Sequence, residues 1–284
     1  MIAPRLRASR PFGPFGRTAP DPPRRTTVGY SVVRCIGIDL AWGERARTGA
    51  AWLADDGRLA DSASLHSDDD IAAFLGTAAA GPGIVAAIDA PLIVPNDTGQ
   101  RPCEREVGRL FGRFDAGAHS ANRGNPAFVP EPRGARLAQR FGWRLDPSVP
   151  PSDGDSVAIE VYPHPAMVSL FALERVIPYK AKRGRDVVSR QAAFDALFGH
   201  VESTWGCLLR LDDSARWAHL RERVRASPRQ VDLDVVEDEV DAIVCAALAW
   251  MWVHERDRMV VLGDADSGYI VTPLPPGSTG PPTP

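Results

Sequence analysis

Three acidic residues lie in or at the end of short apolar segments, where a charged side chain is costly. Asp39 ends the segment Cys-Ile-Gly-Ile-Asp, while Asp89 and Glu160 each follow Ala-Ile. An ionised carboxylate among apolar residues needs a counter-charge or a bound cation. Each acid stands toward the carboxyl end of a predicted strand, the edge at which ligands bind in open α/β sheets. We therefore expect the three side chains to face one crevice.

A fourth acidic group lies late in the chain, in the segment Glu237-Asp238-Glu239-Val240-Asp241. Asp241 is three residues from Asp238 and four from Glu237, so the three side chains share one face of a predicted helix. Acids that open a helix often do no more than offset its dipole. Asp241, however, coincides with the start of the apolar stripe and needs a partner inside the protein. Both interpretations stay open from the sequence.

These acids have the chemistry of a divalent-metal site. Mg²⁺ and Mn²⁺ prefer oxygen ligands, and Mg²⁺ is usually held by a few carboxylates together with substrate phosphates. Two such ions about 3.5–4 Å apart stabilise the attacking and the leaving oxygen of a phosphodiester. A cluster of Asp39, Asp89 or Glu160, and Asp238 or Asp241 would suit two ions. We expect these five acids to be the catalytic and metal-binding residues.

The apolar segments that must position the acids predict a mixed α/β sheet. The first three strands form an antiparallel meander, in which Asp55-Asp56-Gly57 is one turn, and two buried strands follow. A helix is predicted after Ser67, which begins with three acids, and a long apolar helix begins at Val235. The predicted strands are residues 33–40, 49–53, 59–65, 84–88 and 157–162.

Composition and charge divide the chain into three parts. The 284 residues are 44% hydrophobic and 24% charged, which is typical of a globular protein. Residues 1–32 hold six Arg, six Pro and one acid, and predict a disordered basic arm. Residues 33–272 are predicted to form one domain, and the Pro/Gly-rich residues 273–284 a disordered tail. Because the net charge is −3 and the arm carries +5, the remainder carries −8, which excludes a protein that coats nucleic acid non-specifically.

Other patterns exclude several classes of protein. The longest apolar run, residues 242–253, has 12 residues, whereas a membrane-spanning helix needs about 20. Four cysteines without a CxxC pair suggest neither a disulfide framework nor a cysteine zinc site, and a cytoplasmic location is the simplest expectation. The sequence contains no dinucleotide-binding or P-loop glycine motif, nucleophile elbow or HExxH zinc motif.

The first of two basic groups lies between residues 101 and 144, which hold nine Arg and four acids. Its first four Arg recur every fourth residue and would share one face of a helix. Such a face contacts the phosphates of a nucleic acid, or it pairs with the acidic remainder of the chain. The four residues are Arg101, Arg105, Arg109 and Arg113.

The second basic group surrounds Gly184 and contains both lysines of a chain that otherwise uses 31 Arg. It contacts phosphate or forms a surface loop. Trp42, three residues after Asp39, stacks on a base or belongs to the core. From both groups, the candidate substrate-binding residues are Arg101, Arg105, Lys180, Arg185 and Trp42.

Several of these segments together resemble the DUF429 family, whose members are described as predicted RNase H-like nucleases. The resemblance covers most of residues 35–250 and depends on the order and spacing of short motifs. These motifs are Gly37-Ile38-Asp39-Leu40-Ala41-Trp42-Gly43, Ile88-Asp89-Ala90-Pro91-Leu92, Arg101-Pro102-Cys103-Glu104, Glu160-Val161-Tyr162-Pro163-His164-Pro165, Tyr179-Lys180 with Gly184-Arg185, and Asp238-Glu239-Val240-Asp241-Ala242.

The resemblance implies an RNase H-like fold, in which a three-strand antiparallel meander and further parallel strands form one sheet flanked by helices. It also implies roles for the acids. Asp39 would be the acid of the first strand, Asp89 or Glu160 that of a later strand, and Asp238 with Asp241 the pair on a C-terminal helix.

The leading hypothesis is a Mg²⁺- or Mn²⁺-dependent nuclease that acts on nucleic acid, with no membrane partner. A non-catalytic module that binds a nucleotide or nucleic acid on the same fold is the first alternative. An actin-like or sugar-kinase-like phosphotransferase is the second, although the sequence lacks the glycine-rich phosphate turns and the duplicated domain of such enzymes.

Overall fold

The computed structural model describes residues 33–43, 46–80, 83–150, 155–275 and 277. Within them the chain forms β-strands and α-helices that alternate along much of its length. The strands are β1 (Arg34–Asp39), β2 (Thr48–Leu53), β3 (Leu59–Leu65), β4 (Ile84–Ile88), β5 (Val157–Glu160), β6 (Met259–Asp264) and β7 (Gly268–Pro273). The helices are α1 (Asp68–Leu75), α2 (Pro102–Phe111), α3 (Arg133–Phe141), α4 (Pro163–Leu170), α5 (Val187–Leu209), α6 (Ala215–Ala226) and α7 (Gln230–His254).

A five-stranded mixed sheet forms the centre of the fold, in the order β3-β2-β1-β4-β5. The strands β1, β2 and β3 form an antiparallel meander, and β4 and β5 run parallel to β1. Every residue of β4 and β5 is buried, as expected for parallel strands covered on both faces. The predicted α/β sheet is confirmed, and its arrangement is consistent with an RNase H-like fold.

Local sequence signals account for several element boundaries. Gly57 adopts a φ of 85° in the turn between β2 and β3, a conformation that glycine reaches without steric cost. Ser67 accepts a hydrogen bond from the backbone of Asp70, whose side chain accepts one from the backbone of Ser67. This capping box fixes the start of α1 where the sequence predicted it.

The longest helix, α7, packs directly on the sheet through two glycines. A Cβ atom at Gly37 in β1 would lie 2.1 Å from the carbonyl oxygen of Ala242, and one at Gly49 in β2 would lie 1.8 Å from that of Asp238. The helix backbone therefore touches the strands at both points. This contact fixes which face of α7 is turned toward β1 and β2.

The start of α7 differs from the prediction. The helix begins at Gln230 rather than Val235, so Asp238 and Asp241 lie well inside it. The interpretation that these acids offset the dipole of a first turn was therefore wrong. The helix extends back to Gln230 because apolar side chains at its start, such as Leu233 and Val236, are buried in the core.

A second difference concerns the end of the chain, where β6 and β7 form a hairpin that was not predicted. Tyr269 of β7 donates a hydrogen bond to the carbonyl of Ala158 in β5 at 3.0 Å, which attaches the hairpin to the main sheet. The strand β7 includes Pro273, so the predicted tail begins too early. The predicted arm and residues 278–284 lie outside the described residues. Among the described helices, none combines the length and apolarity needed to cross a membrane.

Candidate active site

A cleft of about 610 Å³ opens where β1, β4 and β5 end. Its volume falls within the range of about 300–1,000 Å³ usual for ligand sites, and it lies at the edge where open α/β sheets bind ligands. The segments that follow the three strands form its floor. Of the predicted site residues, its walls contain Asp39, Trp42, Asp89, Arg101, Glu160, Lys180 and Arg185.

Asp39 and Asp89 enter the cleft from adjacent strands. The parallel strands β1 and β4 align Ile38 with Ile88, and the backbone N–H of Asp89 donates to the carbonyl of Ile38 at 2.8 Å. Burial raises the pKa of Asp39 to about 7, although the positive charge of Lys180 opposes the shift. Burial, followed by the charge of Asp39, raises the pKa of Asp89 well above its ordinary value. Negative charge therefore accumulates at this end of the sheet.

The helix α7 adds Asp238 to the same charge environment. Strand pairing aligns Asp39 with Gly49, and Gly49 lies against the backbone of Asp238. Burial, and then the charge of Asp39, raises the pKa of Asp238 to about 8. The close approach of α7 to the strands thus determines the place of this acid.

Asp241, one turn further along α7, is fully buried and has two close partners. The hydroxyl of Tyr179 donates to Oδ1 of Asp241 at 2.6 Å, and Nζ of Lys180 lies 2.6 Å from Oδ2. Burial alone would lower the pKa of Lys180, but the charges of Asp241 and then Asp39 hold it well above its ordinary value. We call Asp39, Asp89, Asp238 and Asp241 the acid cluster; Lys180 is its nearest cation.

Glu160 lies outside the acid cluster and forms an ion pair with Arg101. Two guanidinium nitrogens of Arg101 donate to the Glu160 carboxylate at 2.9 and 2.6 Å, and Leu92 donates its backbone N–H at 2.9 Å. A third nitrogen of Arg101 donates to Glu104 at 2.8 Å, and Arg101 is only 1% exposed. Glu160 is therefore held in a structural ion pair, and Arg101 is not free to contact a substrate. Both residues border the cleft, and they differ from Asp39 and Asp89 in that each has close ionic partners within the protein.

Comparison with protein families assigns the chain. A family model described as "Protein of unknown function (DUF429)" matches residues 37–267. The chain belongs to this family. The DUF429 match includes the whole acid cluster, Lys180 and the ion pair of Arg101 with Glu160. Neither a curated protein nor a solved structure matches the chain.

The remaining substrate-binding candidates of this DUF429 member fall into two groups. Arg105 is exposed on α2 and donates to the carbonyl of Gln100, and it is not part of the cleft wall. The predicted arginine face does not form, because α2 spans Pro102–Phe111, so that Arg101 and Arg113 lie outside the helix and Arg101 is buried. Arg185 lies in the cleft wall.

Trp42 also lines the cleft, where its ring packs against Phe128 at a centroid distance of 5.0 Å. The side chain is half-buried, so one part belongs to the core and another part faces the cleft. Lys182 and Arg185 lie in the same cleft, and Arg185 donates to the carbonyl of Lys180 at 2.8 Å. The cleft therefore combines an aromatic side chain with cationic ones.

Two further residues of the site were not among the predicted site residues. Tyr179 belongs to the family motif with Lys180, but it is 62 residues from Asp241 and nothing in the sequence pattern links the two. His164 lies between the rings of Tyr162 and Tyr179, each at 5.8 Å. Its buried Nε2 has no hydrogen-bond partner among the described residues, and burial lowers its pKa to about 4. The imidazole is therefore neutral at pH 7.

The acid cluster has the donor chemistry of a Mg²⁺ or Mn²⁺ site. All four side chains offer carboxylate oxygens, and one Lys180 ammonium does not balance their charge. Within the described part of the chain, however, no three acidic, histidine or cysteine side chains are arranged to hold an ion. Lys180 already lies against Asp241 at 2.6 Å. The residues fit a divalent cation in kind and charge, provided that the side chains adjust when it binds.

Proposed function

We propose that this DUF429 protein is a divalent-metal-dependent nuclease that hydrolyses phosphodiester bonds. The observation that carries the proposal is the acid cluster, in which the half-buried carboxyl groups of Asp39, Asp89 and Asp238 and the buried one of Asp241 repel one another. Folded proteins normally pair buried charges, since an unpaired one costs several kcal/mol. Carboxyl groups that lack a full counter-charge beside a cleft therefore favour a reaction that depends on a bound cation.

The acids of the cluster would hold Mg²⁺ or Mn²⁺, which when bound activates water and stabilises the leaving oxygen. Hydrolysis joins the water oxygen to phosphorus and breaks one bond from phosphorus to a sugar oxygen. The attacking water loses one proton and the departing sugar oxygen gains one, so the protons balance over the reaction. Asp39 and Asp238 can hold protons near neutral pH before a cation binds, because burial raises the pKa of Asp39 to about 7 and that of Asp238 to about 8.

The cleft wall supports a substrate with phosphates and bases. Lys182 and Arg185 place positive charge beside the acids, where they would contact phosphate oxygens. Trp42 offers an aromatic surface on which a base would stack. Because these cationic groups are few, the cleft would contact few phosphates. The domain would then bind a short or structured part of a nucleic acid rather than the whole length of a duplex.

The proposal is tested with labelled single-stranded, duplex, hybrid and branched DNA and RNA in Mn²⁺, Mg²⁺ or EDTA. We expect metal-dependent cleavage by the wild type. Asp39→Asn should reduce it at least about 100-fold, because losing a ligand costs more than the about 10–100-fold typical of a residue that only orients one. The matched control is Asp266→Asn, an exposed acid in the β6–β7 turn, which should cleave like the wild type. Cleavage retained by folded Asp39→Asn would refute the assignment.

The contact of Lys180 with Asp241 also favours a second candidate function, because an ammonium at this acid already supplies a cation. On this alternative the protein binds a nucleotide or nucleic acid without turnover. It predicts binding of the same labelled panel by the wild type, with no cleavage in any metal.

A further inference from the structure

Lys180 is held in the acid cluster by the segment that carries it, residues 177–186, which we call the lysine strap. The carbonyl of Tyr179 accepts a hydrogen bond from Nε of Arg190 at 2.7 Å, and the backbone N–H of Ala181 donates to Glu237 at 3.2 Å. Arg190 is fully buried and also pairs with Glu237 at 2.9 Å. The residues on both sides of Lys180 are thus fixed to α5 and α7. These backbone contacts on both sides of Lys180 hold its ammonium group next to Asp241.

Lys180 differs from the other buried cations of the protein in two ways. Among the described residues, Arg101, Arg133 and Arg190 have side chains no more than 1% exposed, whereas the side chain of Lys180 is 29% exposed and borders the cleft. It also faces several acids with a single charge, since it pairs with Asp241 at 2.6 Å and interacts electrostatically with Asp39 and Asp89. A side chain on a flexible stem beside open space can leave its partner without disrupting the core.

The presence of lysine rather than arginine at position 180 agrees with the greater exposure of this side chain. The chain uses 31 Arg and only two Lys, Lys180 and Lys182, both in the lysine strap. A guanidinium grips a carboxylate with two parallel hydrogen bonds, while an ammonium acts as a compact point charge. An ammonium is therefore the side chain that most resembles a small cation at Asp241.

We propose that Lys180 is a resident counter-ion, which holds Asp241 in the metal-free protein and leaves it when a divalent cation enters the acid cluster. The inference depends on the metal site of the proposed function and adds a role for a residue expected to contact phosphate. Lys180 then competes with the metal, so the protein resists loading at low metal concentration. A displaced ammonium remains in the cleft, where it faces the substrate.

Titration calorimetry with Mn²⁺ alone tests the competition, at one fixed pH for the wild type and every variant. We expect Lys180→Met to bind Mn²⁺ at least about tenfold more tightly than the wild type, because a positive charge next to the ion is removed. Arg183→Met, an exposed cation of the same strap that is not part of the cleft wall, should change the affinity less than about threefold, since exposed charges interact weakly. Equal or weaker binding by Lys180→Met would overturn the proposal.

A second measurement uses the wild type and does not depend on the folding of a variant. Limited acylation with an N-hydroxysuccinimide ester, followed by mass spectrometry, reports both lysines separately because the chain has only two. In EDTA, Lys180 should react more slowly than Lys182. Saturating Mn²⁺ should raise the rate at Lys180 at least about fivefold as the ammonium leaves Asp241, and leave that at Lys182 nearly unchanged. An unchanged or lower rate at Lys180 would overturn the proposal.

Neither measurement contains nucleic acid, so its outcome is separate from that of the cleavage assay. Tighter Mn²⁺ binding by Lys180→Met without cleavage of any substrate would support the counter-ion and refute the nuclease. Mn²⁺-dependent cleavage with no effect on affinity or acylation at Lys180 would keep the nuclease and overturn the counter-ion.

Discussion

Replacement of Arg101 by methionine tests whether this residue serves the structure or the substrate. Arg101 donates to Glu160 at 2.9 and 2.6 Å, to Glu104 at 2.8 Å and to the carbonyl of Ile93 at 3.0 Å. Breaking a buried ion pair by removing one partner costs about 3–5 kcal/mol. Both carboxylates keep backbone N–H donors, Glu160 that of Leu92 and Glu104 that of Ala121. We therefore expect a loss of about 4 kcal/mol rather than twice that value.

Urea unfolding followed by circular dichroism measures this loss. With an m value of about 3 kcal/mol/M, the midpoint of Arg101→Met should fall by about 1.3 M. Arg105→Met, an exposed arginine on the same helix, should change stability by less than about 0.5 kcal/mol. The pH provides a further check. Burial raises the pKa of Glu160 and Arg101 opposes the shift, so the variant should hold a proton on Glu160 and lose less stability at pH 5 than at pH 8. An unchanged midpoint together with weaker nucleic-acid binding would refute a structural role.

Two further predictions follow from packing and burial. Gly37→Ala should cost more than about 3 kcal/mol or prevent folding, because its Cβ would lie 2.1 Å from the backbone of α7, while Gly199→Ala, with open space around it, should be neutral or stabilising in the same urea assay. Burial lowers the pKa of His164 to about 4, so between about pH 6.5 and 4 the unfolded chain binds a proton on this residue and the folded protein does not. The free energy of unfolding should therefore fall by about 3 kcal/mol as the pH drops through this range. In His164→Gln the melting temperature should fall less over this pH range than in the wild type. The same fall in both proteins would contradict a neutral imidazole at this position.

The parts of the fold that were predicted correctly depend on signals within a few residues. The bounds of β3 and β4 follow from short apolar runs between turns, and the start of α1 follows from Ser67 and the acids after it. The hairpin β6–β7 carried the same kind of signal, because Val-Val-Leu and Tyr-Ile-Val flank a short polar turn. It was missed although the sequence contains it.

The partners of the charged residues depend instead on distant parts of the chain. The spacing of Arg101 and Glu104 suggests a pair within one helical turn, but Glu160 is 59 residues away and only the fold brings it to Arg101. The same holds for Tyr179 and Asp241, which are 62 residues apart. Sequence reasoning could name acids that need a partner. It could not decide which of them receive one from the protein itself.

That distinction is the strongest reason to assign chemistry to the acid cluster and not to every buried acid. Glu160 was as good a candidate as Asp89 in the sequence, yet its carboxylate receives two guanidinium donors and a backbone N–H. Asp39 and Asp89 face each other instead, and one cation of the described residues, Lys180, is shared among several acids. Proteins satisfy their buried polar groups except where function requires otherwise. We therefore assign the proposed reaction to the acids at the ends of β1 and β4, and the Arg101–Glu160 ion pair borders the same cleft.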